Sequence, residues 1–339
     1  MTQVPIELWA KLTSQFSFQA LLLGNGSSIG LHGGFSYPSL YDLARSKGSL
    51  GASQGVFAAL QTTDFEQVLR AIWHAELVNH SLGNPSPIIS QAYTDIQNAL
   101  VQTVYAVHCT PSTITLYRDA IASFLKNFPI IVTFNYDVTL YWIMMHANST
   151  LGTWFKDCFI GPPYIFDANW PRLMAPYGGA SGATLVFYAH GSLILGRDAA
   201  GIEQKIVRSA TGMMLDEIFT EWSSGALTPL FVSEGSANQK LATIRRSPYL
   251  STVYNQLLCN FGSKNIAVYG MSFSDTDEHI LQALQSAPPS TIAVSVYTGA
   301  PAPIQQAFCH RVLSRVQSFL GSNTDVKFYA HDSPGCWRY

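Results

Sequence analysis

The chain has 339 residues, long enough for one large α/β domain with an insertion or for two domains. Lys and Arg number 19 against 21 Asp and Glu, a formal net charge of −2, which leaves no electrostatic grip on phosphodiester or anionic lipid and excludes nucleic acid and membrane surface as main partners. With 47% hydrophobic and only 12% charged residues, the chain cannot be disordered, and buried strands, a homo-oligomeric interface or both are expected.

Taken in chain order, the opening MTQVPIELWAKLTSQF has no basic stretch followed by an apolar one, and no run approaches ~18 apolar residues, so a cytoplasmic location is expected. Residues 18–24 (FQALLLG) read as a buried strand entering a Gly-Asn-Gly turn. From 36 to 127 the pattern is helical, with a helix start at Asp64 and apolar stripes from Tyr93 and Leu116 but no convincing strand. This segment is expected to be a helical insertion after the first strand. Further strands are predicted at 130–135, 184–190, 229–233, 265–270, 291–297 and 326–330, with a helix from Asp277 between two of them. Residues 148–183, with G-P-P at 161–163 and G-G-A-S-G at 178–182, read as a largely irregular excursion. Alternating strands and helices imply an α/β fold with a doubly wound, mostly parallel, Rossmann-like sheet, taken as one domain over 1–339. Five single cysteines without a C-x-x-C pair exclude the usual structural zinc module.

Four polar turns follow apolar strands. Gly24-Asn25-Gly26-Ser27-Ser28 could bring backbone amides and a helix start to a pyrophosphate, or could be a plain tight turn. The third glycine, Gly30, is one place late for a dehydrogenase fingerprint, and no second strand ends in an acid about 20 residues on, so hydride transfer is not supported. Thr133, Asn135 and Asp137 end the second run, where an open parallel sheet presents side chains to its ligand, although Asn and Asp also serve ordinary turns. His190 and Gly191 end the third, where an imidazole able to titrate near neutral pH could meet a substrate hydroxyl. Gly270 and Ser272 follow the fifth; G-x-S-x-S lacks the second glycine of a nucleophile elbow, so a ribose or phosphate contact suits Ser272 better than covalent catalysis. Asp275 could contact a ligand. Glu234, Lys240, Arg245 and Arg246 could close over phosphate or form a solvated helix face, and His310, His331 and the terminal CWRY read as structural or surface features.

In this order, G-x-G-x-S, T-x-N-x-D, H-G and G-x-S resemble the sirtuin (SIR2) family, and the bacterial SIR2-like proteins more than true deacylases. The helix start at Asp64, FVSEG at 231–235 and YGMSFSDTDEHI from Tyr269 are similar to the DUF4917 group of SIR2-like proteins. The resemblance implies a SIR2-like fold with NAD as substrate and no metal. Gly24, Asn25, Gly26 and Ser28 would line the phosphates and the adjoining ribose. Asn135 would position ribose and attacking water, Asp137 would receive the carboxamide, and His190 would be the base. Thr133 and Gly191 would complete their turns, while Gly270, Ser272 and Asp275 would hold the adenosine side. Phe35 falls near the phenylalanine that covers the nicotinamide ribose, with Ser36 where sirtuins carry Arg. Sirtuins that bind acyl-lysine peptides carry two cysteine pairs, absent here, whereas SIR2-like proteins without them include NAD-degrading effectors of antiphage defence. The expected activity is therefore NAD glycohydrolysis in a homo-oligomer, with the helical segment as gate or interface and any defence-system partner unidentified. The alternatives are an NAD-dependent deacylase or ADP-ribosyltransferase, and a non-catalytic NAD or ADP-ribose sensor.

Overall fold

The structure is a computed structural model and describes residues 3–36, 40–207, 213–232 and 236–339. In chain order the strands are β1 (Ala20–Leu23), β2 (Ile130–Thr133), β3 (Phe155–Lys156), β4 (Phe159–Ile160), β5 (Ile165–Phe166) and β6 (Thr184–Tyr188). They continue with β7 (Gly191–Arg197), β8 (Glu203–Lys205), β9 (Thr228–Phe231), β10 (Asn265–Tyr269), β11 (Thr291–Val296) and β12 (Asp325–Ala330).

Seven of them form a parallel sheet in the order β12-β11-β10-β1-β2-β6-β3, flanked by helices in the doubly wound, Rossmann-like manner. The short apolar runs become strands here because helices cover both sheet faces, so no residue has to alternate with solvent. Every residue of β1, β6 and β11 is accordingly buried. In register, Leu23 stands beside Thr133 of β2 and Tyr269 of β10, so the turns after these three strands leave the sheet at one level.

Between β1 and β2 the described residues are helical or irregular, as the pattern of 36–127 implies. Helix Phe65–Ser81 packs against helix Pro87–Val107, which Pro87 opens at a first-turn position where its missing N–H costs nothing. Ile96, Leu100, Val104 and Val107 lie on one buried stripe of the second helix at spacings of four, four and three. Leu77, Val78, Leu82 and Ile88 at the far end of the pair are exposed.

Two readings of the sequence are revised. The run at 229–233 does form a strand, but β9 joins an antiparallel sheet, β4-β5-β8-β7-β9, rather than the parallel one. β7 had no predicted counterpart, because Gly191 follows β6 so closely that the apolar run looks finished. Residues 148–183 include the end of helix Thr139–Leu151, the edge strand β3 and the hairpin β4–β5, so that stretch is only partly irregular. Ser233, Glu234 and Gly235 of the FVSEG stretch lie outside the described residues. Among the described residues, no helix is long and apolar enough to cross a membrane.

Candidate functional site

β1 and β10 are neighbours, but the sheet is built outward from β1 through β2 on one side and from β10 through β11 on the other. This is the switch point at which open parallel sheets have a crevice. The turns flanking it touch backbone to backbone. The Gly24 amide donates to the Tyr269 carbonyl at 2.9 Å and the Gly26 amide to the Gly270 carbonyl at 2.8 Å. A Cβ added to Gly24 would lie 2.6 Å from the Gly270 oxygen, and one on Gly26 would lie 2.8 Å from the Gly270 Cα. The amides of Ser27 and Ser28 bond back to Gly24 and Asn25. The glycine motif therefore serves first to join two turns, and these four amides already have acceptors.

Above the turns lies a cavity of about 1080 Å³, at the upper end of the ~300–1,000 Å³ usual for small-molecule sites. Of the residues singled out from the sequence, Gly24, Asn25, Gly26, Phe35, Asn135 and Asp137 line it, as do His190, Gly270 and Ser272. Ser28 and Thr133 are buried and bonded to the wall residues. Gly191 is outside the lining; its φ is +71° and an added Cβ would lie 2.2 Å from the Leu230 oxygen, which makes it a packing glycine where β7 starts against β9. Asp275 is also outside, its side chain 92% exposed and paired with Arg315.

The inner wall is a closed hydrogen-bond network with one open end. Thr133 Oγ1 accepts from the Asn135 amide at 3.1 Å and so bends the chain after β2. Asn135 Nδ2 donates to the Gly24 carbonyl at 3.2 Å and to the hydroxyls of Ser27 and Ser28, each at 2.9 Å. Because the Gly24 carbonyl can only accept, these partners fix which end of the carboxamide is nitrogen. Oδ1 is buried with no hydrogen-bond partner. Of the side-chain atoms so stranded among the described residues, it is the only one on a residue that lines the cavity. Ser28 in turn donates to Asp137 Oδ2 at 2.6 Å, and Asp137 Oδ1 accepts from the amide and hydroxyl of Thr139. Both oxygens of the expected carboxamide receiver are thus already engaged.

The helical segment, 36–127, meets this wall at His108, by way of Phe35 just before it. Asn25 Nδ2 donates to the Phe35 carbonyl at 3.1 Å, and the Phe35 ring lies edge-on to His32 and His108 at 5.6 and 5.2 Å. His108 Nε2 accepts from the Val138 amide at 3.1 Å while Nδ1 faces the Cys109 carbonyl at 2.8 Å. Burial depresses the His108 pKa, in keeping with a neutral ring that carries its proton on Nδ1.

His190 is paired. It occupies the corner between β6 and β7, and its Nε2 lies 2.8 Å from Nε2 of His279 on helix Glu278–Gln285. Burial first, then the nearby Lys240 ammonium, hold His190 well below the usual imidazole range. The same two causes, in the same order, push His279 down to about 4. The expectation that His190 titrates near neutral pH is corrected accordingly: charging it would place a cation in apolar surroundings beside another cation. Lys240 lines the cavity, with Nζ 3.5 Å from Asp277 Oδ1. Asp277 Oδ2 accepts from Ser272 and Ser274 at 3.3 and 3.1 Å. Of the segment read as closing over phosphate or as a solvated helix face, Lys240 is buried and lines the cavity, whereas Arg245 and Arg246 are exposed and outside the lining; Asp277 and His279 went unassigned because each looked like part of an ordinary helix start.

The opposite end of the cavity is aromatic and basic. Tyr297, His331, Arg338 and Tyr339 line it beyond β11 and β12, with Arg311 from helix Ala302–Leu320. Tyr297 and Tyr339 flank the His331 ring at 4.8 and 5.5 Å, and the Arg338 guanidinium lies 5.0 Å from the Tyr339 ring centre. His331 and the CWRY segment were read as structural or surface features, yet His331 follows an apolar run ending a parallel strand just as His190 does. That shared position is the signal that could have found it.

No curated protein matches the sequence. Residues 21–337, nearly the whole chain and most of the cavity wall, match the family described as a domain of unknown function (DUF4917). The chain belongs to the DUF4917 family.

Proposed function

We propose that this protein binds NAD across the switch point and hydrolyses it to nicotinamide and ADP-ribose. The observation that carries the reading is the stranded Asn135 Oδ1, a buried acceptor without a partner on a residue that lines the cavity together with His190. Three further features support it. The cavity suits an elongated ligand, its far end offers aromatic rings for a base, and Lys240, Arg311 and Arg338 outnumber Asp137 and Asp277 along the wall, which favours an anion.

Nicotinamide leaves a cationic ring as a neutral molecule, so its departure needs no proton. What the protein must supply is a place for an electron-poor ribose and one water held against it. Asn135 Oδ1 accepts from that water or from a ribose hydroxyl, and Nδ2 cannot turn away because three acceptors hold it. His190, neutral at pH 7, takes the proton that water releases on bonding to the ribose carbon. The neutral imidazole also avoids adding a cation beside the developing positive charge.

The test is chromatography of nicotinamide and ADP-ribose after incubation with NAD, using wild type, Asn135→Ala and His190→Ala. Products from wild type and from neither variant are expected. NAD-dependent thermal stabilisation without products would identify a sensor, and an acyl-peptide-dependent product a deacylase. Absence of both turnover and stabilisation would overturn the nucleotide reading.

A further inference from the structure

We propose that Lys240 and Arg311 hold the phosphates of the ligand from either side of the turn after β10, in place of the backbone amides of the glycine turn. The inference rests on the nucleotide reading for the identity of the ligand, and the anion site itself stands on geometry. The amides of Gly24, Gly26, Ser27 and Ser28 are spent on carbonyl oxygens, and the Gly270 amide donates to Ser295 Oγ at 3.0 Å. The helix that the glycine turn opens, Gly26–Ile29, has four residues, too few to build much of a dipole. A phosphate in this cavity therefore draws on side-chain donors.

Sheet order places them. β10 separates β1 and β2, whose turns carry the Asn135 wall, from β11 and β12, beyond which lie Tyr297 and His331. The turn after β10 is thus the middle of the cavity, where a dinucleotide carries its pyrophosphate. Lys240 reaches this turn from helix Ala237–Arg245 and Arg311 from helix Ala302–Leu320, and both line the cavity. The Lys240 side chain is 9% exposed, and the one hydrogen bond of its ammonium among the described residues is to Asp277 Oδ1 at 3.5 Å, the long limit for such a bond. An ammonium has three donors, so a buried one with a single long bond is under-satisfied until an anion arrives. Arg311 Nη2 donates to the Ser272 carbonyl at 3.3 Å, one bond from a guanidinium with five N–H groups. Asp275 and Glu278 pair with Arg315 and do not line the cavity. Two cations against the Asp277 carboxylate thus leave one positive charge in excess at the middle of the cavity, with donors to spare.

Calorimetric titration of wild type, Lys240→Met, Arg311→Gln and Asp277→Asn tests this with three probes: inorganic pyrophosphate, ADP-ribose and adenosine. Lys240→Met and Arg311→Gln are each expected to weaken pyrophosphate and ADP-ribose binding by about 10- to 100-fold, the usual loss of a charge-assisted hydrogen bond, and to leave adenosine unaffected. Asp277→Asn removes the opposing charge and is expected to tighten both phosphate ligands, which loss of a merely structural ion pair would not do. Arg311 is exposed, so its variant keeps the test decisive even where Lys240→Met fails to fold. Unchanged affinity for the phosphate ligands in a folded Lys240→Met or in Arg311→Gln, equal losses for adenosine, or no binding of either phosphate ligand to wild type overturns the proposal. If wild type binds ADP-ribose without hydrolysing NAD, the hydrolytic reading fails alone. If it binds pyrophosphate but neither ADP-ribose nor NAD, the nucleotide reading fails, and the pyrophosphate titrations still decide the anion site.

Discussion

Replacing Gly270 by Ala tests whether the two glycine turns must touch for the site to exist. Gly270 has a φ of +71°, and an added Cβ would lie 2.4 Å from the Ser27 nitrogen and 2.8 Å from the Gly26 carbonyl carbon. Both neighbours are backbone, so no side chain can swing aside. The left-handed conformation costs a non-glycine residue roughly 1–2 kcal/mol, and forced overpacking adds typically 1–3 kcal/mol, for a loss of about 2–5 kcal/mol. With unfolding entropy of ~2.1 cal/mol/K per residue, that loss lowers Tm by about 3–7 °C for a chain of this length. Gly48 supplies the control, because its φ is +67° but nothing lies within 4 Å of an added Cβ. Gly48→Ala should therefore show the conformational cost of roughly 1–2 kcal/mol alone. Urea and thermal denaturation of both variants give the difference, and calorimetric titration with NAD reports the site. Equal destabilisation in the two variants, with nucleotide binding intact in Gly270→Ala, would refute the idea that contact between these turns shapes the cavity.

Other outcomes follow from the same geometry. Asn135→Ala should reduce kcat by about 100- to 1,000-fold, as losing an oriented polar group does, and near-normal turnover would remove Asn135 from the chemistry. His279 has a folded pKa of about 4, below the unfolded value near 6.5, so its contribution to stability is complete above pH 6.5 and is lost as pH falls toward 4. Unfolding free energies from urea titrations across that window should drop by about 1.4 kcal/mol per pH unit for each proton taken up on unfolding, and the slope should flatten in His279→Gln. Lys240→Met removes the cation that disfavours charge on both rings, so the acid limb of the pH–rate profile should move to higher pH; an unmoved limb would show that burial alone keeps the pair neutral. Leu82 and Ile88 are 78% and 80% exposed at the end of the helical pair. An interface or gate on the helical segment predicts that changing both to Glu lowers the sedimenting mass and alters turnover; a variant unchanged in both would deny the segment that role.

The parallel sheet was legible because strands covered on both faces are continuous apolar runs, and β1, β2, β6, β10, β11 and β12 all fall on predicted ones. Pairing partners were less legible. β9 has the same apolar character, but membership of a sheet depends on which edges are free when the chain arrives, and local sequence does not encode that. β7 was hidden because a change of sheet takes only the corner at Ala189 and His190. At the site, the residues at strand ends could be picked out from position alone. Lys240, Asp277 and His279 could not, because their helical contexts are those of any soluble helix, and only the packing of two helices against the sheet turns them inward. The glycine turn read equally as a pyrophosphate loop or a plain tight turn, and its visible use is close approach of a second turn, which demands glycine as strictly as close approach of a ligand.

The corner that carries His190 has a mechanical consequence. One residue before it, the Ala189 amide is bonded to the Thr133 carbonyl at the end of β2, while the His190 carbonyl accepts from the Val232 amide just beyond β9 at 2.6 Å. The residue is thus moored on one side to the parallel sheet and on the other to the antiparallel one. Asn135 is moored in the same double manner, its side chain to the turn after β1 and the neighbouring Tyr136 carbonyl to the Leu193 amide of β7 at 2.8 Å, so the two sheets hold both residues at one seam. The neighbouring strand β8 is tied in turn by Lys205 to Asp157, between β3 and β4, at 2.7 Å, so a second link joins the two sheets away from the cavity. The position of this imidazole is thus a property of the seam between two sheets and not of either one.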